Sequence, residues 1–105
     1  MLALALLVMT AAPDALVGDW SPPDRDVVVH LAQVGARWEG TAPADGGQLT
    51  VLKDLTWDGK TWRGEVWAPK RKAFVPAVIR LESPDTFVLT AGSGLLSKEV
   101  VWRRR

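Results

Sequence analysis

Short runs of β-branched and aromatic residues recur along the chain, separated by clusters of Gly, Pro, Asp and Ser. After the first residues no stretch shows the 3.6-residue period of an amphipathic helix. Such runs, bounded by turn-forming residues, are the pattern of β-strands. The pattern predicts eight strands, at residues 16–20, 27–34, 37–42, 48–55, 61–68, 73–82, 86–91 and 98–103.

The connections between these runs are mostly short, which favours antiparallel neighbours. Their spacing is typical of a sandwich or a barrel, and eight strands is a number that can close into a barrel. A chain of 105 residues, of which 48% are hydrophobic and none is Cys, fits one core held by apolar burial and backbone pairing. The sequence therefore predicts an all-β protein with one domain at residues 16–105.

The clearest local unit is a hairpin at Asp58-Gly59. Asp-Gly between two alternating runs favours a two-residue type I′ turn, because both residues tolerate a positive φ. That register pairs Leu55 with Trp62, Asp54 with Arg63 as an ion pair, and Lys53 with Gly64. A four-residue loop keeps the same parity, whereas a three-residue loop with a bulge flips one strand. The predicted inner face holds Val51, Lys53, Leu55, Trp57, Trp62 and Val66, and the outer face holds Asp54, Arg63, Glu65 and Trp67.

The first twelve residues carry no charged side chain and form a Leu/Ala/Val run that ends in Thr10, Ala11 and Ala12. This is the pattern of a secretory signal peptide, although no basic residue precedes it. We expect a signal peptide over residues 1–15, with cleavage after Ala11, Ala12 or Ala15, and a periplasmic or secreted protein. A buried N-terminal helix or a membrane anchor is the alternative, but the run is shorter than the ~20 residues that span a bilayer.

Charge is distributed unevenly along the chain. Residues 14–58 hold eight acids and three bases, and residues 59–105 hold four acids and ten bases, while the whole chain has a net charge of +1. Two basic clusters lie at residues 70–72, in a predicted turn, and at residues 103–105. They are weak evidence for an anionic partner such as an envelope polymer or lipid headgroups, or they are solvated charges that discourage edge pairing. Export argues against nucleic acid as the partner.

Catalytic and metal-binding patterns are absent from the sequence. With His30 as the only histidine and no Cys, neither zinc-ligand spacing nor a Cys nucleophile is available. Ser93 lies between two glycines but lacks the G-x-S-x-G context of a nucleophile elbow. Asp24 and Asp26 adjoin Pro22-Pro23 and are typical of a turn. We expect no enzyme activity, no metal and no cofactor.

The tryptophans divide into two groups. Trp20, Trp62 and Trp102 lie on apolar strand faces and are expected in the core. Trp67 shares its predicted face with Arg63 and is therefore a candidate for an exposed contact or for cation–π packing on Arg63. Lys53 is out of pattern on the inner face, where its ammonium would need a carboxylate, water or the anionic head of a ligand. The candidate ligand-binding residues are Lys53, Trp57, Arg63 and Trp67.

With these motifs the chain resembles an exported bacterial family called domain of unknown function 2147. The resemblance covers most of residues 16–105. It is carried by Gly18-Asp19-Trp20, by Trp62-Arg63-Gly64-Glu65-Val66 running into Pro69-Lys70, and by Gly94-Leu95-Leu96 leading to Trp102-Arg103. The chain departs from the family pattern in a shortened stretch at residues 43–48, in Phe74 where Tyr is frequent, and in Ser97 where Gly is frequent.

The resemblance implies a compact, antiparallel, up-and-down β-barrel that is lipocalin-like, and it brings no established catalytic residues. It implies a monomeric, exported, non-catalytic protein that binds a small apolar or amphipathic ligand inside the barrel. The alternative is an envelope surface-interaction module with a packed interior. Such a module would contact an anionic or carbohydrate polymer through Trp67 and the basic turn.

Overall fold

The protein is all-β, and its computed structural model describes residues 13–23 and 25–105. The predicted signal peptide lies almost entirely outside the described residues. Eight antiparallel strands follow each other around a closed up-and-down barrel. The barrel closes where β1 pairs with β8, with Trp20 opposite Arg104 and Ser21 opposite Arg103. In the described part of the chain, no helix is long and apolar enough to span a bilayer.

The strands match the predicted positions closely. The chain enters through a 3-10 helix, Pro13–Leu16, where the first strand was expected to begin. β2 starts two residues later than expected, and β4 continues two residues further. The strands are β1 (Gly18–Ser21), β2 (Val29–Val34), β3 (Arg37–Ala44), β4 (Gly47–Trp57), β5 (Trp62–Ala68), β6 (Ala73–Ser83), β7 (Thr86–Ala91) and β8 (Lys98–Arg104).

Up-and-down topology gives the barrel two different ends. We call the end that holds the 3-10 helix Pro13–Leu16 and the turns after β2, β4 and β6 the closed end. The connections after β1, β3, β5 and β7 form the other end, which we call the open end. The last of these contains a second 3-10 turn, Gly94–Leu96.

Aromatic side chains fill the core from the closed end to the middle of the barrel. Trp20, Trp62 and Phe87 are fully buried, as expected for the two tryptophans, and Trp102 is buried as well. The ring of Phe87 lies 4.6 Å from that of Trp20 and 5.3 Å from that of Trp102, centroid to centroid. Large rings at these separations bury much apolar area per residue and dominate the energetics of a small core.

The 3-10 helix plugs the closed end, and hydrogen bonds from three side chains fix it there. Trp20 Nε1 donates to Leu16 O at 2.9 Å, and Trp62 Nε1 donates to Pro13 O at 3.0 Å. The guanidinium of Arg104 donates to the carbonyls of Ala15, at 2.9 Å, and of two further residues. Its carbon lies 4.2 Å from the Trp20 ring centroid. The C-terminal strand, the first strand and the plug are therefore tied together by one side chain.

The turn between β4 and β5 differs from the predicted two-residue turn. Trp57 pairs with Trp62, so the loop has four residues, 58–61. The carboxylate of Asp58 accepts bonds from the backbone N–H of Thr61 at 2.8 Å and of Lys60 at 2.9 Å, and from Arg63 Nε at 2.9 Å. These donors, Thr61 first, hold the pKa of the Asp58 carboxyl well below its usual range. The predicted Asp54–Arg63 ion pair is wrong, because Arg63 binds Asp58 and Asp54 instead meets Arg37 at 3.2 Å.

A bulge in β4 changes the faces predicted for the start of the hairpin. Asp54 has φ +56°, and the pairing shifts between Lys53 and Thr56. Leu52 therefore turns inward opposite Val66, and Lys53 lies opposite Glu65 rather than Gly64. The predicted inner position of Lys53 is wrong for this reason. Leu52, Leu55, Trp62 and Val66 are buried, and Val51 and Trp57 are half-buried against the core.

Gly64 makes room for this bulge. A Cβ at Gly64 would lie 2.5 Å from Lys53 O and 2.9 Å from the carbonyl carbon of Asp54. Contacts this close with backbone atoms cannot be relieved by a side-chain rotation. The glycine in the Trp62–Val66 segment is therefore required by the close approach of the neighbouring strand.

Candidate functional site

A partly enclosed apolar cavity of about 150 Å³ lies inside the open end of the barrel. Side chains from five of the eight strands and from the β1–β2 connection surround it. Its lining consists of Pro22, Arg25, Val27, Val29, Ala42, Pro43, Leu49, Val51, Val66, Trp67 and Trp102. Arg25 is the one charged residue among them.

A wider space of about 430 Å³ continues from this cavity toward β6, β7 and β8. The two share Pro22, Arg25, Val66, Trp67 and Trp102. The wider space adds Val75, Leu89, Ala91 and Val100 as apolar walls, with Lys70 and Lys98 at its edge. Together they form one apolar funnel that narrows toward the barrel centre, which we call the open-end cavity.

Residue size explains why the space lies at this end. Ala42, Ala68 and Ala91 occupy inward positions near the open end, where they line the cavities. At the closed end the corresponding space holds Trp20 and Trp62, both fully buried. Large side chains leave few voids in a barrel interior. Where the inward side chains are small, as at the open end, the interior is not filled and free space remains.

The rim of the open-end cavity is basic. Arg25 borders all three of the spaces at this end, and Lys70 and Lys98 border two of them. The third space, a cleft of about 320 Å³ between the β5–β6 and β7–β8 connections, also includes Arg71. No carboxylate of the described residues lines any of the three, and none forms an ion pair with these four cations. An anionic group at the rim would meet uncompensated positive charge.

A fourth, shallow cleft lies at the closed end. Pro13, Asp14, Gln33 and Trp38 line it over about 320 Å³. The indole nitrogen of Trp38 is buried and has no hydrogen-bond partner among the residues the structure describes. Two of its four lining side chains are polar, so this cleft suits an apolar ligand less well than the open-end cavity does.

The four residues predicted to bind a ligand do not form one site. Trp57 and Arg63 lie at the closed end, where Trp57 packs on Trp62 with ring centroids 4.4 Å apart and Arg63 binds Asp58. Neither is near the open-end cavity. Trp57 packs at the edge of the core, and Arg63 stabilises a turn.

Lys53 and Trp67 both contact Phe74 on the outer surface. Lys53 Nζ lies 3.7 Å from Glu65 Oε1 and 4.2 Å from the centroid of the Phe74 ring. The rings of Trp67 and Phe74 form a T-shaped pair with centroids 5.3 Å apart. Phe74 therefore contacts both the ammonium of Lys53 and the ring of Trp67, and Arg63 takes no part in this patch. Of the four predicted residues, Trp67 alone also borders the open-end cavity.

Sequence reasoning missed the residues that form the cavity, Arg25 above all. Arg25 lies two residues after Pro23 and entered the sequence analysis only as one of the three bases of residues 14–58. A usable signal was the distribution of small and large apolar residues. Ala42, Ala68 and Ala91 stand at the strand ends that share one mouth, whereas Trp20 and Trp62 stand near the other.

The polar groups outside the cavity offer little chemistry. His30 is exposed between the buried Val29 and Leu31, as expected, and its Nδ1 lies 2.7 Å from Asp19 Oδ1. Over residues 13–23 and 25–105, no three or more Asp, Glu or His side chains are grouped in a way that could hold a metal ion. What the arrangement offers is an apolar space with a cationic edge, which is suited to binding.

Comparison of this chain with protein-family models, with curated proteins and with solved structures gives no significant match. The resemblance to the domain of unknown function 2147 family rests on the residues quoted above and stays a prediction.

Proposed function

We propose that the protein is a non-catalytic, exported binding protein for a small amphipathic ligand. The apolar part of the ligand lies in the open-end cavity, and an acidic head lies at its basic rim. The observation that carries this proposal is the composition of that cavity. Apolar side chains form its walls, and the charged residues at its edge are all cations. Ligand sites are typically concave and mostly apolar, with a few convergent polar groups.

The size of the space favours a small ligand. The enclosed part, about 150 Å³, is comparable to a cavity that accommodates benzene. The wider part, about 430 Å³, lies in the lower half of the range of roughly 300–1,000 Å³ for small-molecule pockets. A medium-chain fatty acid, with its tail toward Val29 and Trp102 and its carboxylate near Arg25, matches these dimensions and charges.

The alternative, a surface module that contacts a polymer through Trp67, has less support. Trp67 is half-buried, and its ring packs on Phe74. Stacking on a sugar needs an accessible indole face, and the half-burial of Trp67 limits the area available. The basic turn at residues 70–72 is exposed, and its Lys70 and Arg71 belong to the rim of the cavity.

The proposal is tested by titrating the protein, after removal of co-purified lipid, with decanoate and decanol in a calorimeter. Native mass spectrometry checks the stoichiometry. We expect saturable binding of one decanoate and weaker binding of decanol. Absence of saturable binding of either would contradict the proposal.

A cavity-filling pair of variants locates the site. Ala42 is buried and lines the cavity, whereas Ala32 alternates with the buried Leu31 and faces outward. Ala42→Leu should abolish decanoate binding because the added methyl groups occupy the enclosed space. Ala32→Leu adds the same atoms outside the barrel and should bind as the parent does. If Ala42→Leu fails to fold, Ala91→Leu fills the wider part of the cavity in its place.

A charge pair of variants tests the rim. Arg25→Gln should weaken decanoate binding and leave decanol binding unchanged, because only the carboxylate uses the guanidinium. Lys53→Met should bind both ligands as the parent does, since Lys53 lies on the outer surface beside Glu65. Loss of decanoate binding in Lys53→Met with retention in Arg25→Gln would place the head of the ligand elsewhere.

Export is part of the proposal and is tested separately. N-terminal sequencing of the cell-associated protein should return a chain that starts after Ala11, Ala12 or Ala15. A chain that starts at Met1 in the cytoplasmic fraction would contradict export, and the binding measurements would stand by themselves.

A further inference from the structure

The connection between β7 and β8 carries two exposed leucines. Leu95 is fully exposed, and Leu96 is 72% exposed, more than any other large apolar side chain of the described residues. Both belong to the 3-10 turn Gly94–Leu96, which projects from the open end. Isolated exposed apolar residues are common, but two adjacent leucines at the tip of a connection form an apolar point that water solvates poorly.

The turn that presents these leucines is ordered by hydrogen bonds. Leu96 N donates to Ser93 O at 3.2 Å, and Ser97 bonds to Gly94 O through both its backbone N–H and its Oγ. Gly92 N donates to Pro76 O at 2.8 Å, which anchors the start of the connection to β6. The leucines are therefore held outward from the barrel by a fixed turn. Binding through them loses less conformational entropy than binding through a flexible loop.

Exposed cations lie beside the turn that carries the leucine pair. Lys98 begins β8 directly after the turn, and Lys70, Arg71 and Lys72 form the neighbouring β5–β6 turn. Leu96, Lys70, Arg71 and Lys98 line one cleft, so the two turns lie side by side. Among the described carboxylates none pairs with any of these cations. The surface consists of an apolar tip beside a group of cations that have no ion-pair partner among the described residues, and we call it the leucine tip.

We propose that the leucine tip docks the open end of the barrel on an anionic phospholipid bilayer. Leu95 and Leu96 enter the boundary between headgroups and acyl chains, and the Lys and Arg side chains lie among the phosphates. A short apolar element with cations beside it is the arrangement that binds membrane interfaces, because apolar burial and attraction to anionic lipid act together. Long Lys and Arg side chains also reach the headgroup level while their stems stay apolar.

Docking in this orientation faces the open-end cavity toward the membrane. The cleft lined by Leu96 and Lys98 shares Arg25, Ala68, Val75 and Ala91 with the wider part of the cavity. An amphiphile could thus pass between bilayer and cavity without crossing bulk water. The docking itself does not depend on the proposed function, since it uses Leu95, Leu96 and the exposed cations beside them and not the apolar interior.

The test is flotation of the exported protein with vesicles, carried out with pure phosphatidylcholine and with phosphatidylcholine–phosphatidylglycerol mixtures. We expect the protein to float with the mixed vesicles, to float little with phosphatidylcholine, and to be released by salt. The double variant Leu95→Ser/Leu96→Ser should lower the partition coefficient by at least about tenfold, from the lost burial of two leucines. Every variant carries the same N-terminus, so a contribution from the apolar first residues is common to all of them.

Matched controls distinguish binding through the leucine tip from non-specific adsorption to the vesicles. Val17 and Val34 are exposed valines at the closed end, and Val17→Ser/Val34→Ser should float as the parent does. Lys70→Gln/Arg71→Gln/Lys98→Gln should lose binding to the mixed vesicles. Lys60→Gln/Arg80→Gln/Arg103→Gln removes equal charge elsewhere and should lose much less.

A labelled residue reports orientation directly. The chain has no Cys, so a single Leu95→Cys substitution takes one environment-sensitive fluorophore. Its emission should shift to the blue on the mixed vesicles, whereas a label at Val34→Cys should not respond. Parent-like flotation of Leu95→Ser/Leu96→Ser, or equal responses of the two labels, would overturn the docking proposal. Decanoate binding by the same double variant should be unchanged, which distinguishes failure of docking from failure of the ligand site.

Discussion

The two ends of the barrel are formed by the same eight strands and are filled in different ways. At the closed end, Trp20 and Trp62 are fully buried, and each indole N–H bonds to a carbonyl of the 3-10 helix that plugs the barrel. At the open end, Ala42, Ala68 and Ala91 leave room for an apolar cavity with a basic rim. One continuous hydrogen-bonded sheet thus encloses a packed core at one end and free apolar space at the other.

The largest difference between the ends should be seen on removal of one tryptophan from each. Trp62→Ala removes a fully buried ring and its bond to Pro13, and it should cost about 3–5 kcal/mol in the free energy of unfolding. Trp67→Ala removes a half-buried ring and should cost about 1–2 kcal/mol. Urea denaturation followed by far-UV circular dichroism measures both. Equal midpoints for the two variants would contradict the division into a packed and an open end.

Arg104 should be the most important charged residue for stability. Its guanidinium donates to the carbonyls of Pro84, Val17 and Ala15 at 2.9–3.0 Å and lies over Trp20. Arg104→Ala should cost about 2–3 kcal/mol, because hydrogen bonds from a charged donor are lost in a partly buried place.

Two matched variants sharpen this result. Arg104→Lys should recover little, since an ammonium cannot reach three carbonyls in a plane. Arg103→Ala changes an exposed neighbour and should fall within about 0.5 kcal/mol of the parent. A comparable loss in the two alanine variants would mean that Arg104 does not tie the plug to the barrel.

The bulge at Asp54 lies between the two halves and can be tested through Gly64. Gly64→Ala places a Cβ against backbone atoms of Lys53 and Asp54, and it should cost about 1–3 kcal/mol. Asp54→Gly keeps the positive φ at lower strain and loses only an exposed ion pair, so it should be close to neutral. An unchanged midpoint for Gly64→Ala in the same denaturation experiment would place β4 and β5 in another register.

The smallest effect should come from the turn at Asp58 and should depend on pH. The folded pKa of Asp58 lies below its unfolded value of about 3.9, so its stabilising contribution is fully present above that value. The contribution is lost as the pH falls through the folded pKa. The gap in unfolding midpoint between the parent and Asp58→Asn should therefore be constant near neutral pH and should shrink below about pH 4. A difference in unfolding midpoint that increases in acid would contradict the lowered pKa of Asp58 in the folded state.

The strands and the packed end could be predicted from the sequence because both depend on local pattern. β7 has the predicted bounds, and the burial of Trp20, Trp62 and Trp102 follows from their apolar strand faces. The bulge could not be predicted from alternation, since one residue at a positive φ reverses the faces of Leu52 and Lys53, and a second register shift, between β3 and β4, returns Val51 to the predicted inner side. The sign of the bulge in the sequence is that two polar residues, Lys53 and Asp54, separate the apolar residues Leu52 and Leu55.

The candidate site was the least predictable part. Lys53 was selected because the straight register placed it inside, and the bulge at Asp54 places it outside. Arg25 and Ala42 come from different strands and connections and meet only after the barrel has closed. Free space is a property of many side chains together, so no single motif could have shown it.

The most direct test of the account is the response of the six indole N–H signals to decanoate in a ¹H–¹⁵N NMR titration. The structure places Trp67 and Trp102 at the open-end cavity and Trp20, Trp38, Trp57 and Trp62 away from it. The signals of Trp67 and Trp102 should shift in a saturable way, while those of Trp20 and Trp62, bonded to the plug, should stay in place. Saturable shifts at the closed-end tryptophans, without shifts at Trp67 and Trp102, would contradict the account.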